Sequence, residues 1–152
     1  MRRPLAALAV VAALAVPSVA VAATSQGTPG PDTLVGTSGA DHINGRGGND
    51  HIRGRAGNDR LNGGRGDDTV SGDAGRDVIA GGPGNDVLLG GAGPDRIAGG
   101  LGSDLIVAGV GNDVVRARDG AVDHITCGPG RDRVIADPQD DVARDCESVQ
   151  RG

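Results

Sequence analysis

The sequence predicts an all-β repeat architecture. Three observations carry this: an unbroken nine-residue period, a β-favouring triplet within each period, and the complete absence of aromatic rings. Asp32, Asp41, Asp50, Asp59, Asp68, Asp77, Asp86, Asp95, Asp104 and Asp113 stand nine residues apart without a slip. A glycine precedes each by two residues, from Gly30 to Gly111. An aliphatic follows each by two: Leu34, Ile43, Ile52, Leu61, Val70, Ile79, Leu88, Ile97, Ile106 and Val115. A fixed short period marks a chain built of stacked units. Rings are excluded where facing strands enclose only a narrow interior, so a core of short aliphatics fits this reading.

The first segment is a targeting signal. Met1-Arg2-Arg3 is a basic start, Leu5 to Val16 an apolar run, and Ala20-Val21-Ala22 an A-x-A cleavage pattern, so removal after Ala22 or Ala23 is expected. The alternative is a retained anchor, but the apolar run before Pro17 is short for a bilayer. Residues 1–23 are thus assigned to a signal peptide, export to the outside of a bacterial cell follows, and no integral span is expected after cleavage.

Residues 24–116 hold the repeats. In units that begin at Gly27, Gly36 and so on to Ala108, positions one to six carry glycine, small residues and aspartate, which suit a tight turn. Positions seven to nine, such as Val78-Ile79-Ala80, suit a brief strand. Side chains alternate along a strand, so position eight points inward and positions seven and nine outward. Arg60, Arg96, His42 and His51 then face water. The unit Gly81-Gly82-Pro83-Gly84-Asn85-Asp86-Val87-Leu88-Leu89 reads G-G-x-G-x-D-x-U-x, with U aliphatic.

This pattern resembles the hemolysin-type (repeats-in-toxin, RTX) calcium-binding nonapeptide. The resemblance implies a right-handed parallel β-roll in which two nonapeptides make one coil, so that residues 18 apart stack. Asp50, Asp68, Asp86 and Asp104 would then form one column, and Asp41, Asp59, Asp77, Asp95 and Asp113 another. Stacked strands lie about 4.8 Å apart. Like charges at ~5 Å repel by ~3 kcal/mol per pair at an effective dielectric near 20. A divalent cation removes that repulsion, and Ca²⁺ takes the hard oxygens of carboxylates and turn carbonyls, here those at Gly63, Gly72, Gly81, Gly90 and Gly99. Several Ca²⁺ ions are expected. Mg²⁺ suits the site less well, since it demands a tight octahedron. Asp and Gly could recur merely because both suit turns, but that predicts exchange among Asp, Asn, Ser and Gly at the aspartate position, and there is none. Exchange occurs one residue earlier, at Pro31, Ala40, Asn49, Asn58, Asp67, Arg76, Asn85, Pro94, Ser103 and Asn112. Thr28, Thr37, Arg46, Arg55 and Asp73 replace the second glycine of their units, so weaker or absent calcium is expected there.

Residues 117–152 read as an irregular C-terminal cap of degenerate repeats. The aspartate spacing slips by one between Asp113 and Asp123 and resumes through Asp132 and Asp141, while Asp119 lies off the phase. Cys127 and Cys146 are 19 apart, one residue more than a coil, so they can meet on adjacent rungs and form a disulfide. A thiol metal site is the alternative, but no C-x-x-C or histidine pair accompanies them.

Function classes narrow accordingly. The formal net charge is −5, without a lysine, which argues against nucleic acid. No G-x-S-x-G, H-E-x-x-H or G-x-x-x-x-G-K motif occurs, and the histidines His42, His51 and His124 are scattered, so no enzyme is expected. Arg65-Gly66-Asp67 falls inside a repeat turn and is read as a by-product of the period. The sequence therefore points to a secreted calcium-binding repeat protein that folds on its ion. The alternative is an extracellular adhesin-like surface or matrix protein with the roll as scaffold, for which no protein or glycan partner can be named.

Overall fold

The structure, a computed structural model, describes residues 24–152. The expected signal peptide lies outside the described residues. Fifteen strands follow in order: β1 (Thr24–Gln26), β2 (Thr33–Val35), β3 (His42–Gly47), β4 (His51–Ala56), β5 (Arg60–Arg65), β6 (Thr69–Ala74), β7 (Val78–Pro83), β8 (Val87–Ala92), β9 (Arg96–Leu101), β10 (Leu105–Val110), β11 (Val114–Arg116), β12 (His124–Thr126), β13 (Arg133–Ala136), β14 (Asp141–Val142) and β15 (Ser148–Arg151). Odd-numbered strands form an eight-stranded sheet and even-numbered strands a seven-stranded one. Every pairing is parallel. The chain is thus a parallel β-roll of about 7 turns, two nonapeptides to each.

Stacking brings equivalent residues together. Ile43 pairs with Leu61, Leu61 with Ile79 and Ile79 with Ile97 in one sheet. Ile52, Val70, Leu88 and Ile106 do the same in the other. All of them are at most 2% exposed, and they form one continuous core with Val115, Ile125 and Val134. Positions seven and nine look outward, and every arginine among the described residues is exposed.

The strands are longer than the three residues expected. β3 to β10 each span six, because positions seven to nine run on through the first three residues of the next unit. The inward residues are therefore the aspartate, the aliphatic and the first glycine: Asp50, Ile52 and Gly54 are buried, while His51, Arg53 and Arg55 are exposed. Glycine reads locally as a breaker, but here it is an inward strand residue whose small size the interior requires.

Past Val115 the sheets continue at changed register. Val115 pairs with Val134 and Ile106 with Ile125, one residue longer than a coil. Ile125 then pairs with Val142 and Val134 with Val149 across shorter connections. The irregular segment thus adds four strands to the same two sheets. Cys127 and Cys146 form a disulfide with Cα atoms 5.2 Å apart.

Candidate metal centre

Each aspartate enters the interior one residue before its strand begins. Asp50, Asp59, Asp68, Asp77, Asp86, Asp95, Asp104 and Asp113 are 0–2% exposed, and Asp41 is 4%. The two carboxylate oxygens have different surroundings. Oδ1 accepts the backbone N–H of the aspartate one coil earlier: Asp32 N–H donates to Asp50, Asp41 to Asp59, Asp50 to Asp68, each at 2.8 Å. The series continues to Asp95 N–H on Asp113, and after the register slip to Asp104 on Asp123 and Asp113 on Asp132. These bonds form the two columns. Stacking 18 apart places the side chains as the repeat pattern requires.

Oδ2 has no such donor. It is buried and without a hydrogen-bond partner in Asp50, Asp59, Asp68, Asp77, Asp86, Asp95, Asp104, Asp113, Asp123 and Asp132. What surrounds it can be read from the first glycine of each turn. A Cβ on Gly45 would collide with Asp50 Oδ2 and with the carbonyl oxygen of Gly63 on the next rung. The same convergence joins Asp59 with the Gly72 carbonyl, Asp68 with Gly81, Asp77 with Gly90 and Asp86 with Gly99. Gly63, Gly72, Gly81, Gly90 and Gly99 therefore each bring an acceptor next to a second acceptor. Two oxygens facing one space without a proton between them repel, unless a cation enters.

Among the described residues no ion pair brings a cation to the columns. The ion pairs among the described residues are Arg53–Asp73 and His124–Asp141, neither of which touches a column. Burial is the largest influence on the carboxyls and raises their pKa, the N–H bond from the preceding rung opposes it, and neighbouring carboxylates add to the rise. Asp95 is pushed up to about 7, and Asp59, Asp86, Asp104 and Asp123 to about 6. Asp68, Asp77, Asp113 and Asp132 are raised for the same leading reason. Among the described residues no three histidine, cysteine, aspartate or glutamate side chains converge on one point. A cation here would take carboxylate oxygens from the column and complete its shell from main-chain carbonyls. That all-oxygen donor set fits Ca²⁺ and does not fit a metal that prefers nitrogen or sulfur.

The first two turns are built differently. Thr28 N–H donates to Asp32 Oδ2 at 2.5 Å, and the Thr28 hydroxyl does so at 3.0 Å. Thr37 repeats this on Asp41, its N–H at 2.5 Å from Oδ2 and its hydroxyl at 3.1 Å from Oδ1. Threonine in place of the second glycine thus gives these carboxylates the donors that the later ones lack. Arg46, Arg55 and Asp73 replace the same glycine yet keep its left-handed backbone, with φ of 78°, 81° and 69°.

Asp123 and Asp132 join the columns although the reading of the regular period stopped at Asp113. Their signal was the aspartate phase that resumes after the slip. Asp141, in phase by sequence, is exposed in β14. Asp140 takes the inward place instead, accepting the Asp123 N–H at 3.1 Å, because the connection closes early in a turn that bonds Asp137 N–H to Asp140 Oδ2 at 2.6 Å. Asp119, off the phase, accepts N–H bonds from Gly102 at 2.7 Å and Ala121 at 2.8 Å.

Position five explains its own tolerance. Asn49, Asn58, Asp67, Asn85 and Asn112 lie on the outside and each accepts one N–H from the following rung.

A roll with paired acidic columns, all-oxygen pockets and nine-residue turns defines a calcium-binding repeat protein. Four copies of the RTX calcium-binding nonapeptide repeat match residues 26–61, 53–88, 80–115 and 89–122, and the chain belongs to that family. No curated protein matches the chain. Among the described residues, no helix is long and apolar enough to cross a membrane.

Proposed function

We propose that this is a secreted protein whose roll is completed by Ca²⁺ ions held between stacked turns, with Asp50, Asp59, Asp68, Asp77, Asp86, Asp95, Asp104 and Asp113 as carboxylate ligands. The observation that carries this reading is the run of buried Oδ2 atoms without a donor, those of Asp50, Asp59, Asp68, Asp77, Asp86 and Asp95 each facing a carbonyl oxygen of the next rung. Asp41 is set apart from the ligands because Thr37 already supplies its donors. Export is supported by the A-x-A leader and by the disulfide, which belongs in an oxidising compartment. Outside the cell calcium is plentiful, and sites of this kind work at affinities of order 10⁻⁴ to 10⁻³ M.

Folding and binding are one process in this account. The interior holds one aliphatic per nonapeptide, while the glycines cost much entropy to order. Bound calcium removes the repulsion within each column and so supplies the missing stability. Asp86→Asn and Asp67→Asn separate the ligand from the surface. Asparagine at 86 keeps the acceptor for Asp68 N–H and removes the charge. At the exposed position 67 it keeps the acceptor for Asn85 N–H. Calorimetry should show Asp86→Asn losing bound calcium and Asp67→Asn matching the parent. Equal stoichiometry in both variants would place the calcium elsewhere.

A further inference from the structure

The buried columns run past the recognisable repeats. The family match ends at residue 122, yet Asp132 is 2% exposed and its Oδ2 has no partner. The turn leading to it is Cys127-Gly128-Pro129-Gly130-Arg131-Asp132, which keeps Gly-Pro-Gly where the best repeat has Gly82-Pro83-Gly84. It stacks on Ala108–Asp113 through Gly109 N–H to the Cys127 carbonyl at 2.9 Å, Gly111 N–H to the Pro129 carbonyl at 3.0 Å and Asp113 N–H to Asp132 Oδ1 at 2.8 Å. Asp113 Oδ2 is likewise buried and without a partner.

The cysteine occupies the position that glycine holds in the units from Gly27 to Gly99 and alanine at 108. In the regular turns a Cβ there would strike the aspartate of its own turn and the next carbonyl. At Cys127 the next rung is different, and the side chain bonds to Cys146. The two neighbours of Cys146 hold the same turn at both ends. Asp145 accepts the N–H of Gly128 at 2.9 Å, and Glu147 Oε2 accepts the N–H of Asp132 at 2.8 Å. Asp145-Cys146-Glu147 is therefore a clasp, one covalent bond and two charged acceptors, closed over the turn.

We propose that Cys127–Asp132 stacked on Ala108–Asp113 forms a further divalent-cation site, with Asp113 and Asp132 as its carboxylates, and that the Cys127–Cys146 disulfide sets its affinity by holding the clasp in place. The inference rests on the calcium reading above and extends it to a turn that carries cysteine for glycine. Reduction by dithiothreitol transfers two electrons and two protons to the S–S bond, leaving two thiols and the cyclic disulfide of the reagent. The clasp is then held to the turn by its two hydrogen bonds, from Gly128 N–H to Asp145 and from Asp132 N–H to Glu147. Coupling of this kind is reciprocal: the factor by which reduction weakens the cation is the factor by which the cation resists reduction.

The test uses the full chain with calcium as the probe. Equilibrium dialysis of the parent, Asp132→Asn and Asp86→Asn gives ion counts, and dithiothreitol titrations with and without calcium give the reduction midpoint. Asparagine at 132 keeps the acceptor for Asp113 N–H. Asp132→Asn should lose an ion, and calcium should shift the parent's reduction equilibrium roughly tenfold, within the usual range of coupling between sites, and leave that of Asp132→Asn unmoved. Parental counts in Asp132→Asn with a loss in Asp86→Asn would overturn this site and leave the general calcium reading standing. Parental counts in both would overturn the general reading. A parent whose reduction ignores calcium would overturn the coupling, and that arm needs no variant.

Discussion

Asp95 shows how the interior treats a carboxylate. Its side chain is 1% exposed, one oxygen takes the N–H of Asp77, and the other meets nothing that can donate. Burial lifts its pKa to about 7, and several neighbours in the columns reach about 6. Unfolded aspartate titrates near 3.8. A group raised in the folded state stabilises the fold when protonated, fully below the unfolded value, and that contribution disappears as pH rises through the folded value. In chelator, β signal should therefore be greater near pH 5 than near pH 8, declining across about 6 to 7. In calcium the order reverses, because protons compete with the ion for Oδ2. Paired circular dichroism titrations read both limbs. A chelator profile that is flat or rises with pH would contradict the burial of free carboxylates. At this scale the aspartate phase and the inward aliphatic were legible in sequence. The division of labour between Oδ1 and Oδ2 was not, since it arises only when one rung's N–H meets the next rung's side chain.

A strand here is an alternation of three inward residues, carboxylate, aliphatic and glycine, repeated at every rung. Sequence propensity finds the middle triplet and misses the extension, because glycine's poor strand preference is overridden by the space the carboxylate needs. Gly81 is such a residue: it is buried, and any Cβ would strike Asp86 and the Gly99 carbonyl. The aliphatic has no substitute, since each strand supplies one. Leu88 is 0% exposed and stacks between Val70 and Ile106. Leu88→Ala should cost about 2–5 kcal/mol of stability, the range for truncating a buried leucine. With folding coupled to calcium as proposed, the loss should appear as a raised calcium midpoint, read by titration of β signal. An unchanged midpoint would mean that the aliphatic column contributes little to folding.

The whole molecule behaves as a one-dimensional stack whose ends are built differently from its middle. At the start, Thr28 and Thr37 satisfy their own carboxylates. At the finish, Asp140 and Glu147 close the two columns, and the disulfide ties the last turns together. The cysteine pair was legible from spacing, and the family and the parallel roll through the resemblance that the nonapeptide carries. The register of the last rungs was not: loops of unequal length absorb the slip, so that Asp140 rather than Asp141 points inward. Between the ends lie carboxylates whose Oδ2 atoms the protein leaves without a donor, and their neutralisation is the central claim. Circular dichroism of the purified chain, titrated with calcium from a chelated start and with magnesium in parallel, tests it most directly. The account predicts little β signal in chelator, a cooperative rise at millimolar-range calcium and a much weaker response to magnesium. The same β content with and without chelator would contradict it.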